Sequence, residues 1–209
     1  RNIFWFRRDL RLAVNSALLA AIENSDEIVA VYILDEKINK DSGAKRLAYL
    51  GQSLRALDES LNNKLHVIAG DHIEVLKTLI EKYDADEVHV SQEYEPYGAA
   101  RDLKVEASGI KLIRTGSIYA VAPGRVLKPS DATPYRVYTP FYKAWCVHGW
   151  RKPVAAPKNL NLVTPSADDR NFVDWQVPEG CEISKAGEAA ALARWKKFKS
   201  SALASYDTE

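Results

Sequence analysis

The chain has 209 residues, of which 46% are hydrophobic and 27% are charged, and its formal net charge is +1. This composition excludes collagen-like, low-complexity and grossly disordered proteins, and no apolar run approaches the roughly 18 residues typical of a membrane span. The small net charge does not indicate a nucleic acid or membrane partner, and Cys146 and Cys181 form no metal or disulfide framework, so we expect a reducing, cytoplasmic setting.

Five short apolar segments predict buried β-strands, and they alternate along the chain with amphipathic helical patterns. The clearest helix spans residues 44–62, where leucines recur at intervals of three and four residues on one face. Asn15 and Asp71 stand where N-cap residues would begin two further helices. A fourth helix is predicted over residues 99–108, and a polar loop over residues 35–43. The predicted strands are residues 2–6, 28–34, 65–69, 87–91 and 110–113.

This alternation of strands and helices is typical of an α/β fold with a parallel sheet. Right-handed crossovers between parallel strands place helices on both faces of the sheet, so we expect a doubly wound architecture. The common order of five strands in such a sheet is 3-2-1-4-5, and this is the order that we predict.

The pattern changes near residue 115, where Gly, Pro and Ser become frequent. We therefore expect an α/β domain over residues 1–130 and a linker over residues 131–183, with one short helix near 139–149. Residues 184–209 would hold an isolated helix. Nothing else in the chain can cover the apolar side of this helix, which predicts a partner or a further C-terminal region. Since the sequence contains no methionine, we also expect the natural chain to begin upstream.

Residues 119–158 combine seven cations with a single acid, Asp131, and with interleaved aromatic rings. Such a stretch can bind nucleic acid through phosphate contacts and base stacking. The alternative is a segment that packs its rings between two domains and leaves its cations in water. We favour the alternative, because the spacing of the aromatic residues fits one buried helical face. These residues are Tyr138, Phe141, Tyr142 and Trp145.

Two polar loops are expected to flank a ligand site at one edge of the sheet. Ligands of doubly wound sheets bind beyond the carboxyl ends of the strands, where the strand order reverses, here between the first and fourth strands. Residues 7–11 bring guanidinium groups, and residues 93–97 bring carboxylates and rings. This combination suits a flat aromatic ligand with polar edges. The alternative is a set of ion pairs with only a structural role.

Several other classes of site lack their motifs. The sequence contains no G-x-G-x-x-G after the first strand, no Walker loop and no G-x-S-x-G elbow. The histidines at positions 66, 72, 89 and 148 have no metal-binding spacing, and we expect each to be structural or on the surface.

Several segments, in this order, resemble the DNA photolyase/cryptochrome family. The opening segment, residues 3–12, reads IFWFRRDLRL and is followed by Asn15. Residues 93–98 read EYEPYG and are followed by Arg101 and Asp102. Further matches are Arg46 on the leucine-striped helix, AGD at 69–71, PYRVYTPF at 134–141 and GEAA at 187–190.

This resemblance implies the N-terminal part of a light-driven DNA repair lyase. In that family an α/β domain holds an antenna chromophore that absorbs blue or near-UV light. A C-terminal helical domain holds FAD, which splits pyrimidine dimers flipped out of damaged DNA. The chain stops where that helical domain begins, so the resemblance implies that it contains no catalytic residue and cannot repair DNA alone. Its implied partners are its own C-terminal FAD domain and, in the whole protein, damaged DNA, but no membrane.

The motif at residues 95–102 is similar to that of the deazaflavin-binding members, so hydroxydeazaflavin is the favoured antenna, with folate and FMN as alternatives. Two departures stand out: Ala13 and Val14 replace a usual His-Asp, and Glu93 replaces a frequent Asp. A cryptochrome photoreceptor or a stand-alone flavin- or nucleotide-binding module are competing interpretations. By resemblance, the antenna-binding residues are Arg8, Asp9, Ile33, Leu34, Asp35, Arg46, Glu93, Glu95 and Arg101.

Overall fold

The computed structural model describes residues 1–206, and its centre is a sheet of five parallel strands. The strand order is β3-β2-β1-β4-β5, so the predicted α/β fold and the predicted order are both confirmed. The strands are β1 (Asn2–Phe6), β2 (Ile28–Leu34), β3 (His66–Ala69), β4 (Glu87–Gln92) and β5 (Leu112–Ser117).

Helices follow the strands and cover both faces of the sheet. The Asn15 side chain accepts a hydrogen bond from the Leu18 amide, and Asp71 accepts from Ile73 and Glu74, so both predicted N-caps are confirmed. The helices are α1 (Ser16–Glu23), α2 (Glu36–Lys40), α3 (Ala44–Ser60), α4 (His72–Tyr83), α5 (Pro96–Ala107), α6 (Tyr138–His148) and α7 (Glu188–Ser201), with 3-10 turns at Ala167–Asp169 and Leu203–Ser205.

The alternation of side chains along β1 divides the core into two layers. Phe4 and Phe6 point to one face, where they pack with residues of α1 and α3. Ile3 and Trp5 point to the other face and pack with residues of α4 and α5. All four side chains are at most 2% exposed, and burial of each large apolar side chain contributes about 1.5–3 kcal/mol. The unbroken apolar run at residues 2–6 therefore reflects a strand covered on both faces.

Three predicted segments differ from the structure by more than two residues. The expected loop at 35–43 contains α2, because the Asp35 carboxylate accepts the amides of Lys37 and Ile38 and thereby starts a helix. α5 begins at Pro96 rather than at residue 99, since proline suits the first helical position. β5 runs over Leu112–Ser117 instead of 110–113, because pairing with β4 sets its register and its polar residues suit an edge strand.

Part of the segment predicted as a linker lies against the α/β unit. The Ile28 amide donates to the Asn161 carbonyl at 2.9 Å, and the Asn171 amide donates to the Val67 carbonyl at 2.8 Å. Asp169 accepts hydrogen bonds from Lys82 at 2.6 Å and from Tyr83 at 3.1 Å. This segment therefore shields strands β2 and β3 from solvent.

The aromatic face of α6 is exposed within residues 1–206, so its burial between two domains stays a prediction. In α6, Tyr138 is 72% exposed and Tyr142 is 49% exposed, and their rings stack at 5.8 Å. The Trp145 and Trp150 rings also stack, with their centroids 4.7 Å apart. Periodicity identifies the apolar face of a helix, but it does not show whether another element covers that face.

The last helix is attached to the α/β unit at its first residue. The Glu188 carboxylate accepts the amides of Leu12 at 2.9 Å and Ala13 at 3.2 Å. Beyond this contact, Leu192 and Trp195 are 59% and 55% exposed, so α7 presents apolar surface as the sequence predicted. Within residues 1–206, none of the helices combines the length and the apolar character needed to cross a bilayer.

Candidate ligand-binding cleft

A cleft of about 370 Å³ opens at the carboxyl ends of β1, β2 and β4. It therefore lies at the point where the strand order reverses, where doubly wound sheets bind their ligands, and its volume is in the range of small-molecule sites. Seven of the nine predicted site residues line it: Arg8, Ile33, Asp35, Arg46, Glu93, Glu95 and Arg101.

Asp9 and Leu34 do not line the cleft. Asp9 is 3% exposed, and its carboxylate accepts hydrogen bonds from the Arg7 amide and the Ser91 hydroxyl, so it holds the loop after β1 in place. Leu34 belongs to the core layer that contains α1 and α3. Successive side chains of a strand point to opposite faces, so Ile33 reaches the cleft side of the sheet and Leu34 does not.

Trp5 lies at the base of the cleft and carries two cations near its ring. The guanidinium carbons of Arg7 and Arg101 lie 5.2 Å and 4.8 Å from the ring centroid. Both distances are within the range of cation–π attraction. The buried Trp5 ring therefore helps to hold two guanidinium groups at fixed positions at the base of the cleft.

A network of ion pairs orders these cations. Glu93 Oε1 lies 3.2 Å from Arg7 Nε, and Glu93 Oε2 lies 3.4 Å from Arg101 Nη2. Asp102 Oδ1 accepts from Arg7 at 2.6 Å and from Arg101 at 2.9 Å. Burial and the nearby Arg101 lower the pKa of Arg7, although Asp102 and Glu93 oppose this shift. The charges at the base of the cleft are thus paired with each other, and a ligand would meet polar groups in fixed orientations.

The mouth of the cleft contains one paired and one free arginine. Arg8 forms an ion pair with Glu95, whose other carboxylate oxygen accepts a hydrogen bond from the Tyr119 hydroxyl at 2.8 Å. The hydrogen bonds from Arg8 and Tyr119 lower the pKa of Glu95. No ion pair or side-chain hydrogen bond to Arg46 is present among residues 1–206, so its guanidinium is available to an anionic or carbonyl group of a ligand.

Asp35, His72 and Tyr97 form the opposite wall. The Tyr97 hydroxyl donates to Asp35, and His72 Nε2 lies 3.4 Å from the same carboxylate oxygen. Burial and the hydrogen bond to Asp35 raise the pKa of Tyr97 to about 12, and burial lowers the pKa of His72. Burial opposes the ionisation of Asp35, but the hydrogen bond from Tyr97, the charge of His72 and two backbone amides outweigh it and lower the pKa of Asp35. At neutral pH this wall therefore presents a carboxylate, a phenol and a neutral imidazole.

Gly98 allows Glu93 to lie against the start of α5. A Cβ atom at position 98 would be 2.9 Å from the Cβ atom of Glu93 and would overlap its carboxylate. The tertiary structure thus shows a close approach of a side chain to the helix backbone at this glycine.

Eight residues that line the cleft were absent from the predicted set, and Trp5, His72 and Tyr97 are among them. Trp5 could have been found from the alternation along β1, since it lies on the same face as Ile3, opposite Phe4 and Phe6. His72 follows the capping residue of α4 directly after β3, at the same edge of the sheet as the two polar loops. Within residues 1–206, no group of three or more His, Cys, Asp or Glu side chains is placed to hold a metal ion.

Comparison with known proteins identifies the family. The family model for DNA photolyase matches residues 2–158. A deoxyribodipyrimidine photo-lyase of Synechococcus sp. is 31% identical over 99% of this chain and 47% of its own length. A class III photolyase of Agrobacterium tumefaciens superposes with a TM-score of 0.82 at 30% identity, over 99% of this chain and 46% of that chain.

An archaeal photolyase of Sulfolobus tokodaii superposes with a TM-score of 0.65 at 26% identity, over 78% of this chain and 38% of that chain. That protein was solved with two FAD molecules, which implied a novel light-harvesting cofactor. Cryptochromes are also among the matching relatives. The chain spans about half the length of the Synechococcus and Agrobacterium proteins. Its fold, its sequence and the extent of the family match together show that this chain belongs to the DNA photolyase family.

Proposed function

We propose that this chain binds a planar, light-absorbing pigment in the cleft, as the antenna part of a deoxyribodipyrimidine photo-lyase. The observation that carries the proposal is the arrangement around Trp5. The buried Trp5 ring fixes Arg7 and Arg101 as donors, Glu93 provides a buried acceptor, and Ile38, which lines the cleft at 46% exposure, provides an apolar surface for a ring. A ring system with carbonyl and N–H groups at its edge matches these three features.

The favoured pigment is hydroxydeazaflavin, with folate or FMN as alternatives. The similarity of residues 95–102 to the deazaflavin-binding members supports this order of preference. Glu93 and Glu95 would accept hydrogen bonds from the ring, and Arg46 and Arg101 would bind its polar edge or tail. Arg8, Ile33 and Asp35 would complete the walls of the site.

The repair reaction itself is proposed for the whole protein. The relatives extend well beyond the region that this chain matches, and FAD bound in that remaining part would supply the electron that splits the pyrimidine dimer. We propose that the helical FAD domain covers the exposed apolar surfaces of α6 and α7 and that the whole protein acts on damaged DNA, in the cytoplasm. On this proposal the 209-residue chain alone does not reverse dimers under light, even with added FAD.

A cryptochrome-type photoreceptor is the second candidate, because cryptochromes are among the matching relatives. Joining this chain to its helical domain and measuring light-dependent loss of pyrimidine dimers separates the two functions. Repair supports the photo-lyase. A flavin-loaded, light-responsive protein without repair supports the photoreceptor.

Pigment binding can be tested directly by absorbance and fluorescence titration of the chain with hydroxydeazaflavin, folate and FMN. We expect saturable binding, strongest for hydroxydeazaflavin. Glu93→Gln should weaken binding about 10- to 100-fold, because it removes a charged acceptor worth roughly 1.5–3 kcal/mol. Glu59→Gln is a matched control on the surface, at the end of α3, and should leave binding unchanged. Saturable binding of folate alone would overturn the choice of pigment, and no binding of any of the three would overturn the antenna proposal.

A further inference from the structure

A second, smaller hollow adjoins the cleft, and the antenna proposal does not use it. This hollow has a volume of about 140 Å³ and lies between the start of α4 and the face of α5 that carries Tyr97, Arg101 and Lys104. His72, Tyr97 and Arg101 line both the cleft and the second hollow, so these three side chains form the wall between them. A ligand that fills the cleft could therefore extend into the hollow by passing one of them.

The second hollow carries an excess of positive charge. Lys37 and Lys104 line it, and neither ammonium group has an ion-pair or hydrogen-bond partner in the part of the chain that the structure describes. Its one carboxylate, Asp71, accepts the backbone amides of Ile73 and Glu74 at the start of α4. The base of the cleft differs, because each arginine there lies close to a carboxylate.

A third hollow of about 280 Å³ adjoins both, but its charge is of the opposite sign. It is lined by Asp35, Glu36 and Asp71 with only Lys37 to balance them. An anionic group would thus be repelled from the third hollow and attracted to the second. The distribution of charge selects one direction for an anionic extension of a ligand.

Tyr97 lies between the cleft and the second hollow, since its side chain lines both. Its side chain is 45% exposed, and its hydroxyl is held by a hydrogen bond to Asp35. A hydrogen bond to a charged acceptor such as this one contributes about 1.5–3 kcal/mol, so the binding of an anionic tail must outweigh this cost to displace the ring.

We propose that the pigment carries an anionic tail, either a phosphate or a chain of carboxylates, which passes Tyr97 and binds Lys37 and Lys104. This inference rests on the proposed antenna function, because it needs a ring in the cleft. It adds a tail subsite and makes these two lysines determinants of ligand choice.

Riboflavin and FMN test the proposal, because they share one ring system and differ by a phosphate. Binding is measured by quenching of flavin fluorescence at low ionic strength. FMN should bind about 10-fold more tightly than riboflavin, and about 0.5 M salt should reduce the difference, since the lysines are exposed. Lys37→Gln with Lys104→Gln should abolish the preference for FMN while riboflavin binding stays unchanged.

Two further comparisons complete the design. Lys77→Gln with Lys196→Gln changes the net charge equally at surface positions outside all three hollows, and should keep the preference for FMN. Pteroate and its triglutamate conjugate form a second pair, in which the added carboxylates replace the phosphate. A preference for the conjugate but not for FMN would assign the subsite to carboxylates.

The outcomes separate this inference from the antenna function. Equal binding within both pairs, or a tail preference that survives the substitution of Lys37 and Lys104, overturns the tail subsite and leaves the antenna function standing. The tail subsite is also overturned if the Lys77→Gln, Lys196→Gln variant loses the preference for the tailed ligand to the same extent, because the net charge of the protein would then explain the effect. If no ring binds at all, the antenna function fails and the inference fails with it.

Discussion

A methyl group on residue 98 would occupy space that the Glu93 side chain now fills. Gly98 is the third residue of α5, and a Cβ atom there would lie 2.9 Å from the Cβ atom of Glu93. Arg7 and Arg101 hold the Glu93 carboxylate at 3.2 Å and 3.4 Å, so it has no free direction in which to move. Gly98→Ala should therefore displace Glu93 and break both ion pairs.

Two opposing contributions set the magnitude of this effect. Replacement of glycine by alanine inside a helix stabilises it by about 1 kcal/mol. Removing one partner from a buried ion pair costs about 3–5 kcal/mol, and Glu93 is 8% exposed. The ion-pair contribution is larger, so Gly98→Ala should lower the free energy of unfolding by about 2–4 kcal/mol. The affinity for the pigment should fall as well, because Glu93 is the proposed acceptor.

Urea unfolding followed by circular dichroism measures the change in stability, and the pigment titration measures the change in affinity. Gly43→Ala is the matched control, because a Cβ atom at position 43 would have no atom within 4 Å. It should change the free energy of unfolding by less than about 1 kcal/mol. In a Glu93→Ala background, Gly98→Ala should become much less harmful, since the clashing carboxylate is gone. Wild-type stability of the single Gly98→Ala variant would refute the close approach as the reason for this glycine.

Two further predictions concern stability. Burial lowers the pKa of His66, His72 and His89, so all three stay neutral in the folded chain as the pH falls, whereas in the unfolded chain they take up protons below about pH 6.5. The free energy of unfolding should therefore decrease as the pH falls below about 6.5. Each histidine contributes at most ~1.4 kcal/mol per pH unit, until the pH reaches its lowered pKa in the folded chain. Urea midpoints at pH 7.5 and pH 5.5 check this, and equal midpoints would contradict it. Asp169→Ala should destabilise the fold by about 1–3 kcal/mol, because it removes the acceptor that holds the segment after β5 against α4. Thermal unfolding of the variant measures this loss of stability. Asp174→Ala, which changes a 77% exposed side chain, is the control in that assay and should have little effect.

The strands could be predicted because their signals are local and periodic, and their order was taken from the order common to doubly wound sheets. Phe4 and Phe6 alternate with Ile3 and Trp5, and this pattern identifies a strand covered on both faces. The caps at Asn15 and Asp71 are also local, since each side chain bonds to backbone amides two or three residues ahead. Such features need no knowledge of distant parts of the chain.

The residues that line the cleft were only partly predictable. The rule that ligands bind where the strand order reverses located Arg8, Asp35 and Glu93 at one edge of the sheet. It could not show which of Ile33 and Leu34 points toward the cleft, because that depends on which face of β2 each side chain occupies. It could not show that the Asp9 carboxylate is already occupied by the Arg7 amide and Ser91.

The amino-acid sequence by itself determined the five-strand α/β architecture, the position of the ligand edge and most of the polar groups around it, because short-range periodicity and the chirality of crossovers control these features. Only the tertiary structure decided which charges neutralise each other. Arg7 meets Asp102, 95 residues away, while Arg46 and Lys104 remain free within the described chain. Ion pairing depends on distances of a few ångströms between residues far apart in sequence, and folding alone brings them together.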